Sequence, residues 1–385
     1  MSTPSESTPY YWRLSGFYLF YFASLGALVP YWSVYLKSLS YSPREIGEIM
    51  GIIMATKIVS PNVWGWIADH TGQRMRIVRL GSLAAVLCFA GVFFDSGYWW
   101  LVLTMIAFSF FWNAALPPFE ANTFSHLGGS SHRYSSIRLW GSIGFIITVA
   151  ALGPVLESKG TGILPAVILL LIAGIWISSL LVPEQAAGYR HLEHEPIWNV
   201  LKRREVLALI IAVFLMQVSH GPYYTFYTIY MEDHGYGKDV IGQLWALGVL
   251  AEVGVFLVMH KLTPRFGLRN MLLFSLFIAV IRWLMIGYYP ENLPSMIVAQ
   301  CMHAATFGIY HASAIQLFHR FFSGRLQGRG QAIYSSMSYG AGGALGSFVS
   351  GYTWDSLGPS QTYTLSAITA AVAVIIAWRY IRLER

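Results

Sequence analysis

Charge is the scarcest property of this sequence: 11% of its 385 residues are Asp, Glu, Lys or Arg, where soluble domains carry about 25%. With 55% hydrophobic residues beside so little charge, the chain lacks the polar surface that a water-soluble fold needs. Cysteine is nearly absent as well, Cys88 and Cys301 being the only two. Both fall in apolar stretches, where a thiol acts as a small packing residue, so no disulfide is expected. The alternating pattern of a transmembrane barrel is missing, and so is a Walker-type loop that would bind ATP. No basic n-region precedes the first apolar stretch, which therefore reads as a retained span and not as a cleaved signal.

What is present is a series of apolar blocks of about 20 residues, the length that crosses a ~30 Å hydrocarbon core as a helix. Twelve fit, over 14–36, 43–68, 76–94, 98–124, 134–155 and 161–182, then 206–231, 239–260, 270–288, 294–318, 329–351 and 360–381. The expected fold is an all-α membrane protein of twelve transmembrane helices. The net charge of +7 points to membrane orientation and not to nucleic acid, because of where the basic residues lie. With the N-terminus placed inside, 18 Lys and Arg fall on inside segments and four, Lys37, Arg44, Lys159 and Lys238, fall outside. That asymmetry predicts cytoplasmic termini and an even number of spans.

The polar stretch 183–205 divides the chain into two six-helix halves, 1–182 and 206–385. A shift of 195 residues aligns Tyr41, Ile46, Gly47, Val63, Gly72 and Arg74 with Tyr236, Ile241, Gly242, Val258, Gly267 and Arg269, six identities in 34 positions against roughly two or three expected from composition. Parallel six-span repeats are a transporter arrangement, with the solute site near the midplane. Between the second and third blocks lies Gly65-Trp66-Ile67-Ala68-Asp69-His70-Thr71-Gly72-Gln73-Arg74, and the equivalent loop of the second half holds Pro264-Arg265-Phe266-Gly267-Leu268-Arg269.

The first of these loops resembles the loop signature of the major facilitator superfamily, with His70 and Gln73 in place of arginines, and the second is a degraded copy. The resemblance implies a conformational latch formed by Gly65, Asp69, Gly72, Arg74, Arg265, Gly267 and Arg269. Physically, Gly72 can turn tightly and Asp69 can accept from free N–H groups at a neighbouring helix start. A positive-inside anchor is the plainer role for the arginines. Four further stretches, Val29–Lys37, Ile137–Ser142, Leu244–Glu252 and Ile281–Trp283, resemble the branch containing the phenylpropionate permeases, with the lactose permease and the nucleoside-proton symporters as more distant relatives.

A charge near a bilayer centre costs on the order of 2.5–3.5 kcal/mol even on the lenient insertion scale, so each embedded one needs a partner or a task. Lys57, Glu120, Arg138, Glu252 and Arg282 are embedded, joined by His220, His303 and His311. Glu120 and Arg138 fall at depths where they can meet; by the lactose permease resemblance they are a substrate clamp, and by the plain reading a neutralising pair joining two helices. Lys57 and Glu252 are 195 residues apart, which suggests opposite charges facing one cavity from the two halves, or two separate local pairings. Arg282 and His303 match, by the same resemblance, a proton site whose acidic position is here Thr306, leaving Glu252 as the main proton carrier of the second half.

Trp140, Tyr223 and Trp245 lie near these charges, and aromatic walls beside cations suit an aromatic carboxylate. The expected substrate contacts are Lys57, Glu120, Arg138, Trp140, Tyr223, Trp245 and Arg282, and the expected proton groups Glu120, Glu252 and His303. No metal is expected from His303 and His311 or from His191-Leu192-Glu193-His194. The Gly340–Gly346 run follows no strand, so it reads as close helix packing, as do Gly47 and Gly51, and not as a dinucleotide loop. No nucleophile–base set points to an enzyme, and no cofactor is expected. The expected function is proton-coupled import of a small aromatic carboxylate across an inner membrane, by a monomer surrounded by lipid. A sugar or nucleoside symporter and a proton-driven drug exporter are the alternatives.

Overall fold

The structure, a computed structural model, describes residues 10–128, 133–185 and 197–382, with the side chains of Asp69 and Arg325 outside that set. The apolar blocks are predominantly helical, as they must be where no water is present to satisfy backbone N–H and C=O groups. They form α1 (Tyr11–Ser38), α2 (Pro43–Thr71), α3 (Arg74–Phe93), α4 (Tyr98–Leu127), α5 (Tyr134–Lys159), α6 (Thr161–Leu180), α7 (Arg204–Asp233), α8 (Lys238–Phe266) and α9 (Leu268–Tyr288), with α12 (Pro359–Tyr380) last. These ten are each long and apolar enough to cross a membrane. α4 is interrupted at Asn113–Ala115, just before Pro117 and Pro118, and α7 at His220, just before Pro222. In each case the proline ring would clash with the preceding turn of a continuous helix.

The two remaining spans are broken in a way that periodicity does not announce. Leu293–Cys301 passes through a π turn, Ala304–Ile309, into Tyr310–Phe321, together α10. Gln327–Ser335 passes through a second π turn, Ser336–Gly342, into Gly343–Ser356, together α11. The blocks at 294–318 and 329–351 are thus helical but not uniformly α. A π turn widens the helix locally and recurs at functional sites. The runs Ala304-Ala305 and Gly340-Ala341-Gly342 offer little side-chain bulk to oppose it.

The internal repeat is visible in the backbone. Ser40 and Gly235, 195 positions apart, both take positive φ, 68° and 83°. At the end of α1, Tyr41 N–H bonds Leu36 C=O and Ser40 N–H bonds Lys37 C=O; at the end of α7, Tyr236 bonds Met231 and Gly235 bonds Glu232. All four residues of one set map onto the other by the same shift, and the long bond is that of a Schellman C-cap. Gly72 and Gly267 repeat the pattern, at φ 65° and 75°, with N–H groups bonded to Ala68 and Thr263 C=O.

By contact the chain falls into two compact units. One comprises Met1–Leu28, Val59–Val149 and Gly162–Arg190; the other comprises Val29–Ile58, Ala150–Thr161 and His191–Arg385. The division cuts α1, α2 and α5 in mid-helix. Within the first unit α1 packs on α5 at Gly144, where a Cβ would collide with Leu19 C=O, and at Gly26, where it would stand 2.9 Å from Phe145 C=O. Within the second, α2 packs on α11 through two glycine-containing stripes. A Cβ on Gly47 would lie 2.6 Å from Gly351 Cα, one on Gly51 3.0 Å from Ala344 C=O, and one on Gly340 2.7 Å from Ile58. The two small-residue runs singled out in the sequence are therefore partners across one helix–helix contact.

Candidate functional site

In the second unit, Arg282 of α9 is fully buried, and its surroundings are almost all neutral. Its Nε donates to Ala299 C=O at 2.8 Å, Nη1 to Thr306 Oγ1 at 2.9 Å, and Nη2 to Gln300 Oε1 at 3.4 Å. The guanidinium lies 4.2 Å from the Tyr223 ring centre and 4.9 Å from that of Trp283. Among the described residues no carboxylate comes within ion-pair distance of it. Thr306 stands where the resemblance placed an acid, and the π turn of α10 brings its hydroxyl onto Nη1.

His303 contacts both Arg282 and Glu252. Arg282 Nη1 is 3.2 Å from His303 Nδ1; a guanidinium only donates, so Nδ1 accepts and the imidazole proton sits on Nε2. That nitrogen faces Glu252 Oε2 at 3.7 Å, just beyond direct hydrogen-bond length. With Nδ1 occupied and Nε2 already protonated, His303 has no nitrogen free to receive a proton in this arrangement. It stands between a carboxylate and a guanidinium. Gly248 of α8 makes room for this, since a Cβ there would sit 3.2 Å from Gln300 Oε1 and 3.5 Å from His303 Cβ.

Aromatic rings close the cluster. Tyr223 donates its hydroxyl to Gln300 Oε1 at 2.8 Å and lies 4.6 Å from the Trp245 ring. Trp245 is in turn fixed by a bond from Nε1 to Thr228 Oγ1 at 3.1 Å. Further along α10, Phe307 stacks on His303 and on His311, with ring centres 5.3 and 5.7 Å apart. Both Tyr334 and Tyr339 hydroxyls lie 2.8 Å from His311 Nδ1. The described residues contain no cluster of three or more metal-ligating side chains, and His191, Glu193 and His194 lie outside them.

The first unit holds the other charged pair. Arg138 of α5 approaches Glu120 of α4 at 3.8 Å, each side chain about a third exposed at 31%. Tyr134 donates to Glu120 Oε1 at 3.2 Å, and the Arg138 guanidinium covers the Phe22 ring at 3.9 Å. Trp140, two residues after Arg138, turns to another side of α5, where Nε1 donates to the Tyr11 hydroxyl at 3.0 Å. It is not brought to the Glu120–Arg138 pair.

Lys57 has no ion pair among the described residues, and Glu252 faces His303 instead of Lys57. Lys57 follows by three residues Met54, whose side chain contacts Gly343, so it shares the α2 face that meets α11. In the loops, Arg74 donates to Ser125 Oγ at 3.3 Å and Arg265 lies over the neighbouring Phe266 ring. Gly65 is open to space. The Asp69 side chain is outside the described set. At the α3 start it is Glu184 that accepts, from Met75 N–H at 2.7 Å.

Several contributors were not legible as site residues beforehand. Gln300, Thr228 and Tyr134 are neutral, and no embedded charge marks them. Glu184 read only as part of a polar linker. A shallow surface recess of about 390 Å3, lined by Tyr230, His234, Tyr289, Glu291 and Ser360, contains none of the embedded charges.

Residues 11–365 match the MFS_1 like family. The chain belongs to this family. Among its relatives, the chain is 29% identical to the probable 3-phenylpropionic acid transporter of Escherichia coli (strain K12), over 93% of this chain and 94% of that one. It is 25% identical to the maltose permease of Geobacillus stearothermophilus, over 96% and 94% of the two. The fold superposes on the crystal structure of the nucleoside transporter NupG with a TM-score of 0.82 at 15% identity, covering 96% of this chain and 98% of that one. Membership in the family, with the twelve-helix fold, makes this a multi-pass membrane transporter of the major facilitator kind and not an enzyme.

Proposed function

We propose that the protein imports a small aromatic carboxylate together with a proton, by alternating access between the halves 1–182 and 206–385, in an inner membrane with both termini in the cytoplasm. The observation that carries this reading is Arg282, a fully buried cation without a carboxylate partner among the described residues, set against the faces of Tyr223 and Trp283. A buried charge left without a direct partner costs on the order of 3–5 kcal/mol, and a substrate carboxylate supplies a direct one while its ring meets aromatic walls. The relative named as a probable 3-phenylpropionic acid transporter supports the same substrate class.

Coupling follows from charge. With Glu252 ionised, the cluster of Arg282, neutral His303 and Glu252 is neutral overall. Once Glu252 takes a proton, the cluster carries one positive charge and attracts an anion; release of that proton restores neutrality and expels the anion. One proton is thereby linked to one carboxylate. His303 stands between the two, one nitrogen facing Glu252 and the other accepting from Arg282, and links them. Lys57, in the other half of the sequence, adds a second cation for the solute.

A sugar or nucleoside substrate is the second reading, favoured by the Glu120, Arg138 and Tyr134 group, whose mixed donors and acceptors suit hydroxyls, and by the maltose permease relative. Liposome uptake of labelled 3-phenylpropionate, maltose and uridine under an inward proton gradient separates the two. Uptake of the carboxylate alone supports the first reading. Uptake of maltose or uridine alone overturns it.

A further inference from the structure

Gln300 of α10 is fully buried, and its orientation is dictated by a neighbour that can only donate. Arg282 Nη2 faces the side-chain oxygen at 3.4 Å; an amide nitrogen there would set N–H against N–H, so the amide cannot be turned around. The Tyr223 hydroxyl donates to the same oxygen at 2.8 Å. The nitrogen, with two N–H donors, therefore points away from Arg282. It is buried and has no hydrogen-bond partner.

A second donor is stranded next to it. The Tyr227 hydroxyl is also buried and makes no hydrogen bond of standard geometry, and the Gln300 side chain lies close enough to interact with it. Its ring packs 5.1 Å from Tyr223 and 5.6 Å from Trp245, so it belongs to the same aromatic group. Arg282 itself has five N–H groups. Four are engaged, by Ala299, Thr306, His303 and Gln300, and one on Nη2 remains. The surplus at this site is thus mostly of donors, on an amide and a guanidinium, beside a hydroxyl that can donate or accept.

We infer that Gln300 is the specificity-determining residue of the site, selecting a carboxylate over uncharged ligands of the same shape by presenting its amide N–H groups, with the Tyr227 hydroxyl, to an acceptor-only group. The inference rests on the carboxylate reading above and deepens it. A carboxylate offers two oxygens and no hydrogen, so it accepts from the Gln300 amide and the Tyr227 hydroxyl without setting donor against donor. A primary amide or an alcohol brings hydrogens of its own, and any that face the Gln300 amide nitrogen or Arg282, which only donate, set donor against donor. Rejection of a ligand that leaves buried polar groups unpaired is the strong form of discrimination. Arg282 supplies attraction for any anion; Gln300 distinguishes the group by its hydrogen-bonding pattern.

The test compares 3-phenylpropionate with 3-phenylpropionamide on the purified full-length protein, by tryptophan fluorescence titration and by liposome uptake, in wild type, Gln300→Glu and Tyr227→Phe. Gln300→Glu is nearly isosteric, turns the donors into acceptors and places an anion against Arg282. The expected result is a fall in carboxylate affinity of more than about tenfold, the scale of a lost charge-assisted hydrogen bond, with the amide affected less, so that the ratio between the two ligands drops by about tenfold or more. Tyr227→Phe is expected to lower carboxylate affinity several-fold and leave the amide unchanged. If the acid destabilises the fold, seen as a lowered melting temperature, Gln300→Met carries the same comparison without a charge. Equal losses for both ligands, or no change, overturn the role of Gln300 while leaving carboxylate transport standing. Binding of neither ligand by the wild type overturns both.

Discussion

Gly153 of α5 and Gly351 of α11 stand in equivalent relationships to helix starts 195 residues apart. A Cβ on Gly153 would collide with Lys238 C=O at the start of α8, and one on Gly351 would lie 2.8 Å from Pro43 C=O at the start of α2. Each glycine lets a backbone carbonyl rest on a helix where no side chain fits. Nearby, Lys238 at the α8 start pairs with Glu232 and Glu157, and Lys37 at the end of α1 pairs with Asp233 at the end of α7.

Gly153→Ala and Gly351→Ala should each reduce liposome uptake by about tenfold or more, because packed helix contacts of this kind are close-fitting and do not deform continuously. Gly162→Ala, where an added Cβ meets nothing within 4 Å, should leave uptake unchanged and serves as the control. Wild-type rates in both contact variants would show that these helix ends need not approach each other during transport.

Glu252→Gln fixes the carboxyl in a form that cannot release a proton. Wild-type uptake should rise as the external pH is lowered from about 7.5 to 5.5, since protonated Glu252 is the form with a net charge for an anion to meet. The variant should lose this dependence and fail to accumulate substrate against a gradient, yet still exchange external for internal substrate. A variant that still accumulates substrate under a proton gradient would remove Glu252 from the coupling.

Glu120 and Arg138 are each about a third exposed and 3.8 Å apart, so their attraction contributes less than about 1 kcal/mol to stability. Neutralising both, as Glu120→Gln with Arg138→Gln, should lower the melting temperature by only about 2–4 °C or less. If the pair touches the solute, uptake should fall at least about tenfold in each single variant and stay low in the double one. Recovery in the double variant would mean that the two residues only neutralise each other.

Arg269 donates from Nε and Nη2 to Ile381 and Trp378 C=O at the end of α12, and Arg79 donates to Ser179 and Val182 C=O past the end of α6. Each arginine bonds carbonyls at a helix C-terminus and places a cation there. Arg269→Ala should cost on the order of 1–2 kcal/mol, read as a fall of about 2–4 °C in melting temperature, with Arg269→Lys recovering part of it. An unchanged melting temperature would assign Arg269 to the moving loop and not to the cap.

The amino-acid sequence alone determined the elements and the chemistry available to them. Blocks of about 20 apolar residues leave a chain in hydrocarbon no choice but helices, and the cost of embedding charge makes Arg282, Glu252, Glu120 and Arg138 conspicuous wherever they occur. The 195-residue repeat marked Gly72 and Gly267, and their shared positive φ is a local consequence of a tight turn. Which residues meet was decided by tertiary structure. The rotation of α8 against α10 sets Glu252 on His303 and not on Lys57, a two-residue step on α5 sends Trp140 to Tyr11, and a π turn carries Thr306 onto Arg282. Helix rotation and π register come from how small residues of one helix accept the bulk of another, so they depend on both partners at once and leave no mark in the periodicity of either.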